Sequence, residues 1–185
     1  MDGDVMLNFV VSGKVRSDYV GFSKFVKLWR GEVLVLDSSS GFFKVFLRGR
    51  CGESPPEDFF RGILGYVSSC YMEVYLVVTL ECGALSRFRG FLGVCSSVGG
   101  ELRCVKKVGG DLSIFTQVRK ARDGRLVLKA LLLKGGEVFC SSSLTEISSL
   151  KVHLCDVNVI KGYVSTLCSL GNEVLSKVKE LCGGG

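Results

Sequence analysis

From Met72 to Leu80 the chain reads Met-Glu-Val-Tyr-Leu-Val-Val-Thr-Leu, an unbroken β-branched and aromatic run that is the clearest strand in the protein. It ends at a glycine-containing break, Glu81-Cys82-Gly83. Other strand candidates surround it. Val5 to Val11 and Gly21 to Arg30 are rich in Val, Phe and Leu, and Glu32-Val33-Leu34-Val35-Leu36 is apolar on consecutive positions, which suits a strand covered on both faces. Asp37-Ser38-Ser39-Ser40-Gly41 reads as a turn into a strand from Phe42 to Arg48. Leu102 to Val108, Leu112 to Arg119 and Leu126 to Leu133 follow the same pattern, with Asp123-Gly124 as a hairpin turn between the last two. Gly135-Gly136 predicts a further hairpin to Glu137–Cys140.

Helices are expected at three places. Prolines and acids in Gly52-Glu53-Ser54-Pro55-Pro56-Glu57-Asp58 signal a helix entry, and Phe59, Phe60, Ile63, Leu64 and Val67 carry helical spacing. Leu85, Phe88, Leu92, Cys95 and Val98 recur at three or four residues, which predicts an amphipathic helix ending at Gly99-Gly100. Ile160, Val164, Leu167, Val174, Val178 and Leu181 line one face of a long terminal helix, followed by a Gly183-Gly184-Gly185 tail. The chain is expected to form one α+β domain over residues 1–185, with a soft internal division near residue 70.

Composition narrows the function classes. Hydrophobic residues make up 47% of the chain and only two are proline, so disorder is a poor reading. No apolar run approaches the ~18 residues of a membrane helix and the start lacks a signal-peptide pattern, so no membrane association is expected. The net charge of +6 permits a polyanionic partner without demanding one. The nine cysteines are spread singly with no C-x-x-C pair, and His153 is the only histidine. No metal site and no cofactor are therefore expected, and the cysteines read as buried thiols of a reducing compartment. A Ser-His-Asp or Cys-His site would have to use His153, which sits between Val152 and Leu154 in an apolar stretch. The glycine pairs lack the pattern of a phosphate loop.

The order of elements from residue 57 onward resembles the RNase PH-like family, the fold also called ribosomal protein S5 domain 2-like, with mixed or antiparallel sheets and packed helices. There a hydrophobic-x-V-x-V-L-x-x-D-G-G-T-R strand leads into a helix; the matching stretch is Met72 to Gly83, then the predicted helix to Val98-Gly99-Gly100. The family's V-x-A-x-x-x-G strand matches Leu102 to Gly109, its later L-x-x-A-L-x-x-x-G-x-I pair matches Leu128 to Val138, and an amino-terminal block matches loosely around Gly21 and Gly31. The resemblance implies a phosphorolytic site of arginines and carboxylates, and neither half is intact. Ser86 stands near the arginine position, with Arg87 one residue late, and only Asp111 and Asp123 fall where the acids belong.

What the resemblance implies is a non-catalytic structural subunit of a hexameric RNase PH-like ring of the RNA exosome. Such a subunit guides single-stranded RNA for 3'-5' processing and decay, in the nucleus, nucleolus and cytoplasm. Its partners would be paralogous ring subunits, cap subunits and RNA. Arg87, Arg89, Lys106 and Lys107 are the candidate RNA-facing cations, each of which could equally be a solvated surface charge. Trp29 could be an interface anchor or a core residue. The alternative is a free-standing nucleic-acid-binding protein with a curved antiparallel sheet, TATA-box-binding-protein-like or PC4-like.

Overall fold

The computed structural model describes residues 3–53, 57–110, 112–134, 152–153 and 157–182. The elements run β1 (Gly3–Val15), α1 (Tyr19–Leu28), β2 (Glu32–Leu36), β3 (Phe42–Gly49), α2 (Glu57–Ile63) and β4 (Val67–Leu80). A 3-10 turn (Leu85–Phe88) follows, then β5 (Val94–Val98), β6 (Glu101–Gly109), β7 (Leu112–Lys120) and β8 (Leu126–Lys134). The chain ends with β9 (Val152–His153), α3 (Val157–Ser176) and α4 (Val178–Cys182). This is an α+β architecture on antiparallel strand pairs. It divides into two compact units, one of Leu7–Val74 with Lys151–Val164, the other of Met1–Met6, Tyr75–Leu150 and Ser165–Gly185.

In the Leu7–Val74 unit the order β1-α1-β2-β3-α2-β4 builds a sheet ordered β2-β3-β1-β4, the split βαβ arrangement. Alternate residues of β1 and β3 point inward: Leu7, Phe9, Val11, Phe43, Val45 and Leu47 are buried. The helices cover that face. Phe22 of α1 meets Phe43 edge-on at 4.9 Å, and Phe60 of α2 meets Phe9 at 5.9 Å. Such ring pairs add about 0.5–1.5 kcal/mol each beyond their burial. The strands β1 and β4 approach closely at Gly13, where a Cβ would lie 1.9 Å from the Ser69 carbonyl oxygen. Only glycine fits there. The start of α3 is tied to α2 by Lys161 Nζ, 2.6 Å from Glu57, whose carboxyl is held below its ordinary range by that hydrogen bond.

In the other unit β4, β8, β7, β6 and β5 lie in that order. Leu76, Val78, Leu80, Leu126, Leu128, Ala130, Ile114, Val118, Leu102 and Cys104 share one face by register. Gly171 of α3 sits against Leu76 on it, with a would-be Cβ 3.6 Å away. The opposite face carries a second cluster, Val105, Phe115, Leu131 and Leu133, with Tyr75 packed against it.

Several sequence expectations need correction. Gly21 to Arg30 is not a strand but belongs to α1: Asp18 accepts a hydrogen bond from the Gly21 N–H at 2.9 Å, and Phe22 and Val26 are buried four residues apart. Leu85 to Val98 is not a helix. Gly90 (φ 79°) and Gly93 (φ 103°) take left-handed conformations that stop one, and Val94–Val98 pairs with β6 through a Gly99-Gly100 turn. Glu32–Leu36 is an edge strand, not one covered on both faces, and its register shifts between Val33 and Val35. The Asp37–Gly41 turn, β6, β7, β8 and the terminal helix stand where expected, the last broken at Lys177, whereas α2 ends at Ile63, short of Leu64 and Val67, and β4 begins at Val67, five residues before Met72. The Glu137–Cys140 hairpin, Asp111, Cys140 and Cys155 lie outside the described residues.

The cysteines also differ from expectation. Cys95 and Cys104 face each other in register on β5 and β6 and form a disulfide, and Cys82 after β4 bridges to Cys182 at the end of α4. Cys51 and Cys168 are disulfide-bonded as well. Single-residue spacing does not show which cysteines meet in space, so the inference of a reducing compartment loses its basis. Cys70 is buried as a thiol, as the spacing predicts.

The Cys82–Cys182 bridge closes a span of 100 residues, where chain-entropy stabilisation is large. Cys182→Ser is expected to lower the unfolding free energy by about 2–4 kcal/mol. In denaturant titrations, reductant should then destabilise the wild type more than the variant; equal sensitivity would exclude this bridge.

Asp37 accepts hydrogen bonds from the Ser39 hydroxyl (2.7 Å), the Ser40 hydroxyl (2.8 Å) and the Ser39 N–H (3.0 Å), which hold its carboxyl below the ordinary aspartate value. A carboxylate with a lowered folded pKa stabilises above its unfolded pKa and loses that contribution as pH falls through the folded one. The β2–β3 turn should therefore stay ordered through the usual range of aspartate titration and loosen only in stronger acid. Carboxyl chemical shifts read by NMR against pH would show this, and Asp37→Asn should remove the dependence.

Candidate nucleic-acid interface

Strand β3 reads Phe42-Phe43-Lys44-Val45-Phe46-Leu47-Arg48. Because successive side chains alternate, burying Phe43, Val45 and Leu47 under the helices turns Phe42, Lys44, Phe46 and Arg48 to the opposite face. Register with β1 sets Lys14 beside Phe42, Ser12 beside Lys44, Val10 beside Phe46 and Asn8 beside Arg48. On the other side Glu32 lies beside Phe46 and Val35 beside Lys44. Phe42 is 42% exposed. The Arg48 guanidinium lies over the Phe46 ring at 5.7 Å, within cation–π range. The face thus interleaves two aromatic rings with three cations, and none of Lys14, Lys44 or Arg48 makes an ion pair among the described residues.

Where α1 hands over to β2, this face borders a groove of about 510 Å³ lined by Trp29, Arg30, Glu32, Phe46 and Arg48. Trp29 is held from behind by Phe59 at 6.1 Å yet stays 39% exposed, so it is neither a core residue nor fully free. The α1 terminus is closed by the Arg30 N–H donating to the Lys27 carbonyl (2.9 Å) and the Gly31 N–H to the Val26 carbonyl (2.9 Å). This is the Schellman pattern, and its left-handed position holds Arg30, at φ 57°, where glycine is the favoured residue.

The four cations expected from the sequence lie in the other unit and form no common site. Lys106 and Lys107 are exposed neighbours on β6, so their side chains leave opposite faces of the sheet. Lys106 lines a groove of about 220 Å³ with Ile114, Thr166, Ser169, Leu170 and Glu173. Arg89 donates a hydrogen bond to the Ser97 hydroxyl on β5. Ser97 pairs with Leu102, four residues and thus roughly 13 Å along the strand from Lys106. Arg87 is exposed on the 3-10 turn, with no helix to carry it toward a phosphate.

Acidic chemistry is equally sparse. Asp123 is engaged by Arg125 at 2.7 Å, which holds its carboxyl below the ordinary range in a turn brace. Among the described residues no group of three or more His, Cys, Asp or Glu could hold a metal ion, and no helix is long and apolar enough to cross a membrane.

The residues missed from sequence are Arg30 and, on β3, Phe42, Lys44, Phe46 and Arg48, whereas Trp29 is read there as an interface anchor or a core residue. The signal of the four on β3 is its alternation: even positions are aromatic or basic, odd positions apolar. In comparisons with known proteins, the chain matches no protein-family model, no curated protein and no solved structure.

Proposed function

We propose that this protein is a non-catalytic binder of single-stranded nucleic acid, with the outward face of β1, β2 and β3 as its platform. The observation that carries this is the set Phe42, Lys44, Phe46 and Arg48 on the face opposite α1 and α2. Exposed rings give bases a stacking surface worth roughly 1–3 kcal/mol per base, and the flanking cations neutralise phosphates without reading sequence. A four-stranded sheet with aromatics on its open face is a recurring way of holding unpaired RNA. This deepens the sheet-platform alternative drawn from the sequence.

The second reading is the RNase PH-like ring scaffold of the exosome, with paralogous subunits as partners and nuclear and cytoplasmic placement. In its favour stands the order of β4, β6, β7, β8 and a long terminal helix. Against it stand β5 in place of the expected helix, and disulfides, which persist mainly in oxidising compartments.

Fluorescence anisotropy with a labelled oligouridine of roughly ten nucleotides tests the platform. The purified chain alone should bind, with affinity falling steeply as salt rises. Phe42→Ala and Phe46→Ala should each weaken binding by roughly 5- to 100-fold, and Lys44→Glu should flatten the salt slope. Wild-type affinity in both phenylalanine variants would overturn the platform. Weak binding alone, with co-purification of several RNase PH-like paralogues, would favour the ring.

A further inference from the structure

We infer that the groove at the end of α1 is a pocket for a guanosine phosphate unit, an inference that rests on the platform reading for its strand-bound form. The groove, at about 510 Å³, falls within the size range of sites for small ligands. Its lining combines three chemistries: the exposed ring of Trp29 with the half-buried ring of Phe46, two guanidinium groups (Arg30, Arg48) and one carboxylate (Glu32).

Despite sharing one groove, Glu32 makes no ion pair with either arginine, nor does any of the three with another described residue. Opposite charges that line one groove without neutralising each other remain available to a ligand bearing both a donor edge and an anion. A nucleotide has both. An ionised carboxylate only accepts hydrogen bonds and has two oxygens. The base edge that best matches it offers two adjacent N–H donors, and guanine, with N1–H and N2–H₂, is the base that does. Adenine and cytosine present an amino group beside a ring acceptor, which a carboxylate repels. Uracil offers a single N–H between two carbonyls.

The second observation is the backbone at Arg30. Its φ of 57° lies in the left-handed region, where a non-glycine residue is uncommon and costs free energy. The Schellman closure of α1 would be better served by glycine, and the residue that follows, Gly31, shows that glycine is used at this corner. A strained arginine whose side chain lines a groove beside a second arginine is the arrangement expected where a phosphate is held. Trp29 then stacks on the base, Glu32 reads its edge, and Arg30 with Arg48 holds the phosphate.

Trp29 is the only tryptophan in the chain, so its fluorescence reports on the pocket directly. Titrating the full-length protein with GMP, AMP, CMP and UMP should give saturable quenching by GMP, at least about tenfold tighter than by the others, since an edge-matched contact discriminates to that degree. Glu32→Gln should bring GMP down to the level of AMP. Arg30→Gly, which suits the left-handed backbone and so keeps the fold, should weaken GMP binding by about tenfold, with Arg48 left to hold the phosphate, and should leave guanosine binding unchanged. Equal quenching by all four nucleotides, no saturable quenching, or an unaffected Glu32→Gln variant would each overturn the pocket.

Phe42→Ala separates this outcome from the platform. Retained GMP quenching with lost oligonucleotide binding supports the pocket as an independent site. Oligouridine binding without any GMP response refutes the pocket and leaves the platform intact. Comparing oligouridine with and without one guanosine distinguishes a strand-borne guanosine from a free nucleotide, because only the former tightens strand binding.

Discussion

The strand β3 is held in one unbroken register against β1, and the Leu7–Val74 unit depends on that register. Phe43, Val45 and Leu47 must face the helices, since all three are buried and Phe43 packs edge-on against Phe22 of α1. A slip by one residue would exchange the two faces of the strand. Lys44 and Arg48 would then be carried into an apolar interior, where an unpaired charge costs several kcal/mol. The hairpin turn enforces the same choice from its end: Asp37 gathers Ser39 and Ser40, and Gly41, buried with φ 79°, leaves no room for a side chain beside the Val15 carbonyl. The interaction that builds the core therefore also decides which residues the outer face presents.

The edge beside this platform is managed in a way that bears on what can bind there. β2 is short, carries a charge at its start in Glu32, and shifts register after Val33. Those features discourage another chain from pairing along it, although Leu34 and Val35 are exposed. Strand addition is thus a poor use of this edge. A compact ligand in the groove between the end of α1 and the outward face of β3 asks nothing of the backbone ladder.

The fold was legible in the sequence where one signal acted alone. β4 is rich in Val and Tyr, β6, β7 and β8 are strand-length segments with apolar positions between turn residues, and Asp123-Gly124 and Asp37–Gly41 carry their own turn chemistry. It was misread where two signals competed. In α1 the Val, Phe and Leu content suggests a strand, but Asp18 capping Gly21 and the four-residue interval from Phe22 to Val26 decide for helix. Across Leu85 to Val98 the reverse holds, because helical spacing is real but Gly90 and Gly93 have left-handed backbones that no helix accommodates. The disulfides depend on which strands become neighbours, a long-range fact that single-residue periodicity does not contain. The candidate site is hidden for a simpler reason: the family resemblance points to cations near its phosphate position, whereas the informative pattern is the alternation within one strand.

The two units differ in how far the polar groups on their open sheet faces are already engaged. On the face of the second unit opposite α3, several polar groups already engage each other: Glu101 accepts from Arg103 at 3.2 Å and from Gln117 at 2.7 Å, and Lys129 sits over the Tyr75 ring at 4.6 Å, while the buried Ser113 hydroxyl has no hydrogen-bond partner among the described residues. Binding there would first have to break those contacts, so a ligand would gain only the difference between old and new partners. On the outward face of the first unit the side chains of Lys14, Lys44, Glu32 and Arg30 have no such partners among the described residues, where Arg48 has only the Phe46 ring. Their interactions with water are all that a phosphate or a base edge must replace. Charge content is similar on the two faces; what differs is whether the charges have already been used by the fold.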